Sequence, residues 1–291
     1  MRIQPNLRRI AAIHDLSGFS RTSLMAVIPI LSTMGFNVCP LPTAILSNHS
    51  QYPNFSFLDL TDEMPNIIRE WERLAIHFDA IYTGYMGSPR QIEIVLDFIE
   101  TFRRPETLIV VDPVLGDNGA LYNKITEEMV HQMRRLASKA DVLTPNLTEA
   151  FALLDEPYCA DVGREELKGL ITRLADAGPD TVIITGVPVP GQPGLTSVIA
   201  RSKSDQRTWM VTCPYLPAHY PGTGDTFTSV ITGSLLQGDS LPIALDRAVQ
   251  FILQGIRATF GYQTDSREGI LLERVLPLLK MPIQSSSYEL I

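Results

Sequence analysis

The sequence predicts an α/β protein: a mostly parallel central sheet with helices on both faces. Short runs such as Ile10-Ala11-Ala12-Ile13 and Leu108-Ile109-Val110-Val111 are apolar at every position, as expected of strands covered on both sides. Such runs alternate along the chain with longer segments of helical spacing, which is the order of βαβ units. No repeat, low-complexity tract or Pro/Gly/Ser-rich linker divides the chain, so residues 1–291 read as a single domain.

The first strand, Ile10 to Ile13, ends at His14-Asp15, and a loop through Ser17-Gly18 leads to an apolar-periodic helix from Leu24 to Met34. Phe36 to Leu41 is the second strand, followed by a polar loop through Ser47-Asn48-His49-Ser50. Asp62 to Phe78 has helical spacing, and Asp79 to Thr83 is a strand closing on Gly84. A helix covers Pro89 to Phe102, its proline suited to the first turn. The apolar strand Thr107 to Val111 stops at Asp112-Pro113. A helix over Ile125 to Ala137 precedes the strand Ala140 to Leu143, which ends at Thr144-Pro145-Asn146. Helices Leu147 to Leu154 and Arg164 to Ala177 lead to the strand Thr181 to Ile184. Thr196 to Ala200 and Thr208 to Thr212 form an antiparallel pair, and the chain from Thr226 onward is mostly helical.

Composition narrows the function classes. A net charge of -8 argues against a nucleic-acid or anionic-membrane surface. Cys39, Cys159 and Cys213 form no C-x-x-C pair and leave an odd count, which disfavours a disulfide framework or zinc site and favours the cytoplasm. Residues 1–9 carry no signal-peptide pattern, and no apolar run is long enough to span a bilayer.

Open α/β sheets bind ligands beyond the carboxyl ends of their strands. Asp15, Ser47 to Ser50, Gly84-Tyr85, Asp112, Thr144 to Asn146 and Thr185 all fall at or just past such ends. The most telling stretch is Pro221-Gly222-Thr223-Gly224-Asp225. Two glycines at a helix start let several backbone N–H groups converge on an anion. Asp225 alone would read as a helix cap. A cap needs no glycine upstream, however, whereas close approach to phosphate does. A carboxylate beside that anion pocket suits a base that takes a hydroxyl proton during phosphoryl transfer. No G-x-x-x-x-G-K-[ST] occurs, so this is not a P-loop.

Asn146 and Glu149 match a capping box, which would account for them structurally. Asp112 at the sheet's ligand edge adds a second reading, in which Asp112, Asn146 and Glu149 hold Mg²⁺ through water. Asp117 reads either as a turn residue or as a further group for that ion. Ser47 to Ser50 is a solvated turn or part of a site. Tyr85 packs or stacks on a flat ring, Tyr122 is buried or part of a mobile cover, and Cys213 is a small core residue.

Gly222 to Asp225, Asp112-Pro113-Val114-Leu115-Gly116-Asp117 and Thr144-Pro145-Asn146-x-x-Glu149 resemble the motifs of the ribokinase-like superfamily of small-molecule kinases. Ser47-Asn48-His49-Ser50-Gln51-Tyr52, together with Thr83-Gly84-Tyr85, resembles the pyridoxal kinase branch, and the likeness runs from Ile10 to Gly261. It implies a three-layer ribokinase-like fold, a homodimer, and transfer of the γ-phosphoryl group of MgATP to the 5′-hydroxymethyl of pyridoxal, pyridoxine or pyridoxamine. By position it implies Asp225 as catalytic base, with Gly222, Thr223 and Gly224 completing the anion hole. It implies ring contacts at Asp15, Ser50 and Tyr85, and nucleotide contacts at Asp112, Asn146, Glu149, Thr185, Thr223 and Gly224. Asp117 and Tyr122 fall in the covering segment, and Asp112, Asp117 and Glu149 in the metal's surroundings.

One position departs from the pattern: Asp15 stands where pyridoxal kinases usually have a serine. The Ser17-Gly18 pair that follows resembles hydroxymethylpyrimidine kinases, which leaves that activity, alone or combined with B6, as an alternative. A carboxylate at residue 15 would suit a protonated ring nitrogen or an amine. A non-catalytic vitamin binder is the alternative from another class.

Overall fold

The computed structural model describes residues 7–262, 264–281 and 287–291. Residues 1–6, most of the polar segment read as free of a signal peptide, lie outside the described residues. The elements run β1 (Arg9–Phe19), α1 (Leu24–Thr33), β2 (Asn37–Asn48), β3 (Phe57–Asp59), α2 (Met64–Arg73), β4 (Ala80–Thr83) and α3 (Pro89–Phe102). They continue with β5 (Leu108–Val111), β6 (Gly116–Asp117), β7 (Ala120–Leu121), α4 (Glu127–Ala137), β8 (Val142–Leu143), α5 (Leu147–Leu154) and α6 (Arg164–Asp176). The last are β9 (Thr181–Pro188), β10 (Leu195–Ser202), β11 (Thr208–Pro214), α7 (Thr223–Gln237), α8 (Leu241–Phe260), α9 (Leu272–Val275) and β12 (Tyr288–Leu290), with short 3₁₀ turns at Ser266–Glu268 and Leu276–Lys280.

Ten strands form one sheet in the order β12-β11-β10-β9-β8-β5-β4-β1-β2-β3, while β6 and β7 pair separately as a hairpin. The six central strands from β9 to β2 are parallel, and the outer ones antiparallel. Alternate residues of each central strand enter opposite cores. Ile13, Ile81, Ile109 and Val111 pack with α2 to α6. Ala12, Tyr82, Val110 and Ile183 pack with α1, α7, α8 and α9. The result is the expected three layers.

Several boundaries differ from expectation for local reasons. Strand β1 continues beyond Ile13 to Phe19, past a bulge between His14 and Leu16, because β2 remains its partner after β4 has ended at Thr83. The two strands, joined by β3 beside β2, therefore project from the sheet, and the loop expected at Ser47 begins later. Helix α2 stops at Arg73 rather than Phe78, as Ala75 turns to φ 50° and breaks the helical hydrogen-bond run. Helix α7 starts at Thr223, not Thr226, because Gly222 at φ 84° lets its carbonyl accept from Thr226 N. The short strand β12 has no apolar run to announce it.

Register sets the site. Ile13 pairs with Thr83, Thr83 with Val111, and Val111 with Leu143. The next residue of each strand, His14, Gly84, Asp112 and Thr144, thus lies in one row at the carboxyl edge. Helix α7, buried on nearly every side by small residues, brings its N-terminus over that row. A side chain at Gly222 would meet Arg21 O at 2.1 Å, on a backbone already at positive φ. Gly222→Ala should cost about 2–4 kcal/mol in urea unfolding. A loss below about 0.5 kcal/mol, the size of a neutral surface change, would show that the turn does not depend on this close approach.

Candidate active site

Asp225 lies in the first turn of α7, where N–H groups have no partner within the helix. Its side chain is only 15% exposed. One carboxylate oxygen accepts from Ser23 N at 2.8 Å; the other faces His14 Nδ1 at 3.8 Å. Burial, with a further push from the charge on Asp15, raises its pKa to about 6 against the pull of the Ser23 amide. Its main-chain carbonyl accepts from Tyr82 Oη and Ser229 Oγ.

His14 is fully buried, edge-on to Tyr82, and both of its ring nitrogens lack a partner among the described residues. Burial lowers its pKa to about 3, so the imidazole is neutral at physiological pH and its approach to Asp225 is not an ion pair. A side chain on Gly84 would overlap the ring, its Cβ falling 2.2 Å from Nδ1, which explains the glycine between Thr83 and Tyr85.

Asp15 is also buried. It accepts from Ser17 Oγ at 2.8 Å and from Ser23 Oγ, and burial raises its pKa in spite of both donors. Its charge is felt at half-buried Tyr85 and at His49, so both groups lie within electrostatic range of Asp15. Ser50, expected at the ring, is exposed. Its neighbour His49 is held instead by Arg267 O at 2.7 Å and stacks edge-on with Tyr52, over which the Arg267 guanidinium lies. The Ser47-to-Tyr52 motif is thereby latched to the turn at Ser266–Glu268.

On the other side of α7, Asp112 is buried and receives Thr228 Oγ1 at 3.4 Å, with Thr144 Oγ1 behind it at 2.9 Å from Thr228. Glu149 and Asn146 do form the capping box. The same carboxylate also accepts from Leu115 N at 2.9 Å, while Asn146 Nδ2 donates to Gly116 O at 2.7 Å. Cap and site-building roles coincide: the pair holds the turn that follows Asp112. Burial, then the charge of Glu149, pushes Asp112 well above the usual carboxylate range. Burial likewise raises Glu149. Thr185 lies next to Asn146 through a single parallel bridge, its N–H on Pro145 O.

No three His, Cys, Asp or Glu side chains among the described residues are gathered closely enough to enclose an ion. Asp117 spends its carboxylate on Asn118 in the turn of the β6–β7 hairpin, the plain turn role. Asp112 and Glu149 remain, two buried acids that oppose each other's ionisation. A cation sharing its shell with water and phosphate would relieve that repulsion, so this donor set fits Mg²⁺ held at arm's length. Tyr122 is exposed on one side, and its phenol pKa is raised by burial and then by the charges of Glu149, Asp117, Asp112 and Asp225. Its phenol therefore lies within electrostatic range of those acids.

His14, Ser23, Tyr82 and Thr228 were not among the expected site residues. A histidine extending an apolar strand was the one visible sign; the others depend on which strand α7 crosses.

The raised pKa of Asp225 has a stability consequence. A folded-state value of about 6, above the ordinary 3.8, favours folding below pH 4 and loses that contribution as pH rises through 6. Asp225→Asn should therefore stabilise the protein by about 1–3 kcal/mol at pH 7.5 and by much less at pH 4.5. An equal effect at both values in urea titrations would mean that the carboxylate is not strained by burial.

The family model described as phosphomethylpyrimidine kinase matches residues 64–268. A pyridoxal kinase of Arabidopsis thaliana is 30% identical over 251 residues, 84% of this chain and 78% of its own length. A crystal structure from Bacteroides thetaiotaomicron, of a protein provisionally assigned as a phosphomethylpyrimidine kinase and crystallised with pyridoxal, is 70% identical with a TM-score of 0.96. It covers 98% of this chain and 100% of its own. The pyridoxal kinase of Lactobacillus plantarum is 32% identical with a TM-score of 0.86, over 94% and 97% of the two chains.

Proposed function

The chain belongs to the pyridoxal kinase family, within the kinases that the phosphomethylpyrimidine kinase model describes, and from that premise we propose that it phosphorylates the 5′-hydroxymethyl group of B6 vitamers with ATP. The observation that carries this reading is a largely buried carboxylate, Asp225, only 15% exposed and set within the unpaired first-turn amides of α7. The similarity to a protein crystallised with pyridoxal supports the vitamin as acceptor.

Asp225 accepts the proton of the vitamin's hydroxyl as its oxygen attacks phosphorus. The amides from Gly222 to Asp225 face the charge on the moving phosphoryl group. Neutral His14 withholds a competing positive charge from Asp225, so the carboxylate stays basic rather than being neutralised by an ion pair. Asp15 and Tyr85 receive the ring, with Ser50 reaching it only from the exposed loop. Asp112, Asn146, Glu149, Thr185, Thr223 and Gly224 face the nucleotide, while Tyr122 and the hairpin turn at Asp117 cover it. Mg²⁺ near Asp112 and Glu149 would supply charge neutralisation on the phosphates. We further read residues 1–291 as one domain and the enzyme as a cytoplasmic homodimer. The continuous ten-stranded sheet, three free cysteines, and exposed Phe19, Ile45 and Leu58 on the projecting strands support this. No helix among the described residues is long and apolar enough to cross a membrane.

Hydroxymethylpyrimidine is the second acceptor to consider, favoured by the matching family model and by the Ser17-Gly18 pair. Coupled assays of ATP consumption with pyridoxal, pyridoxamine, hydroxymethylpyrimidine and ribose separate the readings. The B6 vitamers should give the highest kcat/KM; tight pyridoxal binding with no turnover would point to a binder instead. Asp225→Asn should lower kcat about 10²- to 10⁴-fold with saturating substrates. The wild-type kcat/KM should fall as pH drops through about 6, where Asp225 takes up its proton. Glu149→Gln should raise the Mg²⁺ needed for half-maximal rate, and an unchanged magnesium titration would leave this residue with its capping role alone.

A further inference from the structure

Ser23 occupies the N-cap position of α1 but does not behave as a cap. Serine there normally turns its hydroxyl back onto the first amides of the helix. Here no such bond forms, and the backbone stands at φ 50° and ψ -134°, outside the regions an L-residue prefers. Its hydroxyl is given to Asp15, and its N–H points to the Asp225 carboxylate at 2.8 Å. The same turn is approached from the other side by Gly222, where a side chain would collide with Arg21 O. A strained residue that forgoes its usual bond, and contacts one buried and one largely buried carboxylate with two different groups, is hard to account for by helix capping.

We propose that Ser23 is a positioning residue linking Asp15 to Asp225: the bond from its hydroxyl to Asp15 maintains the backbone conformation that aims its N–H at the base. This rests on the kinase reading above and adds to it that the wall assigned to the ring and the base assigned to its hydroxyl are mechanically joined. A substrate cation drawn to Asp15 would bear on the same carboxylate that anchors Ser23, so occupancy of the ring site and alignment of the base are coupled.

Alanine and glycine at residue 23 distinguish this from a structural role. Both lose the hydroxyl, but only glycine adopts a positive φ without strain. Asp225 is faced by His14 and Asp15 from β1, Tyr82 from β4, Asp112 after β5 and Tyr122 after β7, all unchanged in these variants. In Ser23→Ala the backbone relaxes and the N–H leaves the carboxylate. The expected result is a kcat lower by about 10- to 100-fold and an acid limb of kcat/KM moved up by about one pH unit, since a donor to the charged form is lost. Ser23→Gly should lose less activity than Ser23→Ala, with a smaller shift of the limb. Carbon-13 NMR titration of the Asp225 carboxyl, assigned by its absence in Asp225→Asn, reads the same shift without turnover. It therefore tests the link even if wild-type protein phosphorylates no B6 vitamer, a result that would sink the kinase reading instead. If Ser23→Ala does not fold, Asp15→Ala is compared with Asp15→Ala/Ser23→Gly, where glycine should bring the Asp225 titration back down. Equal titrations in the alanine and glycine variants, or no effect of glycine in the Asp15→Ala background, would overturn the proposal.

Discussion

Negative charge held out of water at one edge of the sheet is the constraint on which the rest of this structure turns. Asp15, Asp112, Glu149 and Asp225 converge there, and no lysine or arginine forms an ion pair with any of them among the described residues. Each is held by dipoles instead. Asp225 has the Ser23 amide, Asp15 two serine hydroxyls, Asp112 a threonine hydroxyl, and Glu149 the amides of Leu115 and Asn146. Neutral donors tolerate a carboxylate without quenching it. Raised pKa values are the expected result, and for Asp225 a value of about 6 corresponds to roughly 3 kcal/mol of cost when it ionises. A fold that tolerates such a cost holds a carboxylate that titrates near neutrality, the property a general base requires.

The geometry that concentrates this charge is simple. Parallel strands in register bring successive carboxyl ends to a common level, so one residue beyond each strand is enough to assemble His14, Gly84, Asp112 and Thr144 in a row. Helix α7 then supplies what a sheet edge lacks, a set of amides aimed at one point. Its small residues, Thr226, Thr228, Ser229, Thr232, Gly233 and Ser234, let it sit deep between the sheet, α1 and α8. Larger side chains there would lift Asp225 away from the strand ends.

Much of this was legible in the sequence because it is written in short-range patterns. Apolar runs and turn glycines indicated the layer order, and the polar residues within three positions of each apolar run drew attention to Asp15, Asp112 and Asn146. What escaped was of two kinds. Strand β1 goes on through His14, Asp15 and Ser17 because β2 pairs with its backbone, and no side-chain pattern records a main-chain ladder. Ser23 and Thr228 meet their partners across 202 and 116 positions of sequence. Nothing local distinguishes such a serine from a helix cap, or such a threonine from helix packing. Asn146 and Glu149 are the instructive intermediate case. The capping box suggested by their spacing is real, and the same bonds shape the turn beyond Asp112.

On the proposed reading, the acceptor's identity rests on Asp15, Tyr85 and the loop carrying Ser50, and there charge and shape carry different weight. Asp15 offers a carboxylate held by two hydroxyls but not neutralised, which suits a protonated pyridine or an amine as readily as a pyrimidine bearing an amino group. Charge alone therefore does not separate B6 from hydroxymethylpyrimidine. The rest of the wall narrows the choice. Tyr85 follows a glycine that must remain glycine for His14 to fit, so its main chain is fixed, with Thr43 Oγ1 on its carbonyl at 3.1 Å. The loop carrying Ser50 is anchored by His49 and Tyr52 to the turn at Ser266–Glu268, well away in sequence. A wall fixed at both ends can select by the size and substituents of the ring as well as by its charge.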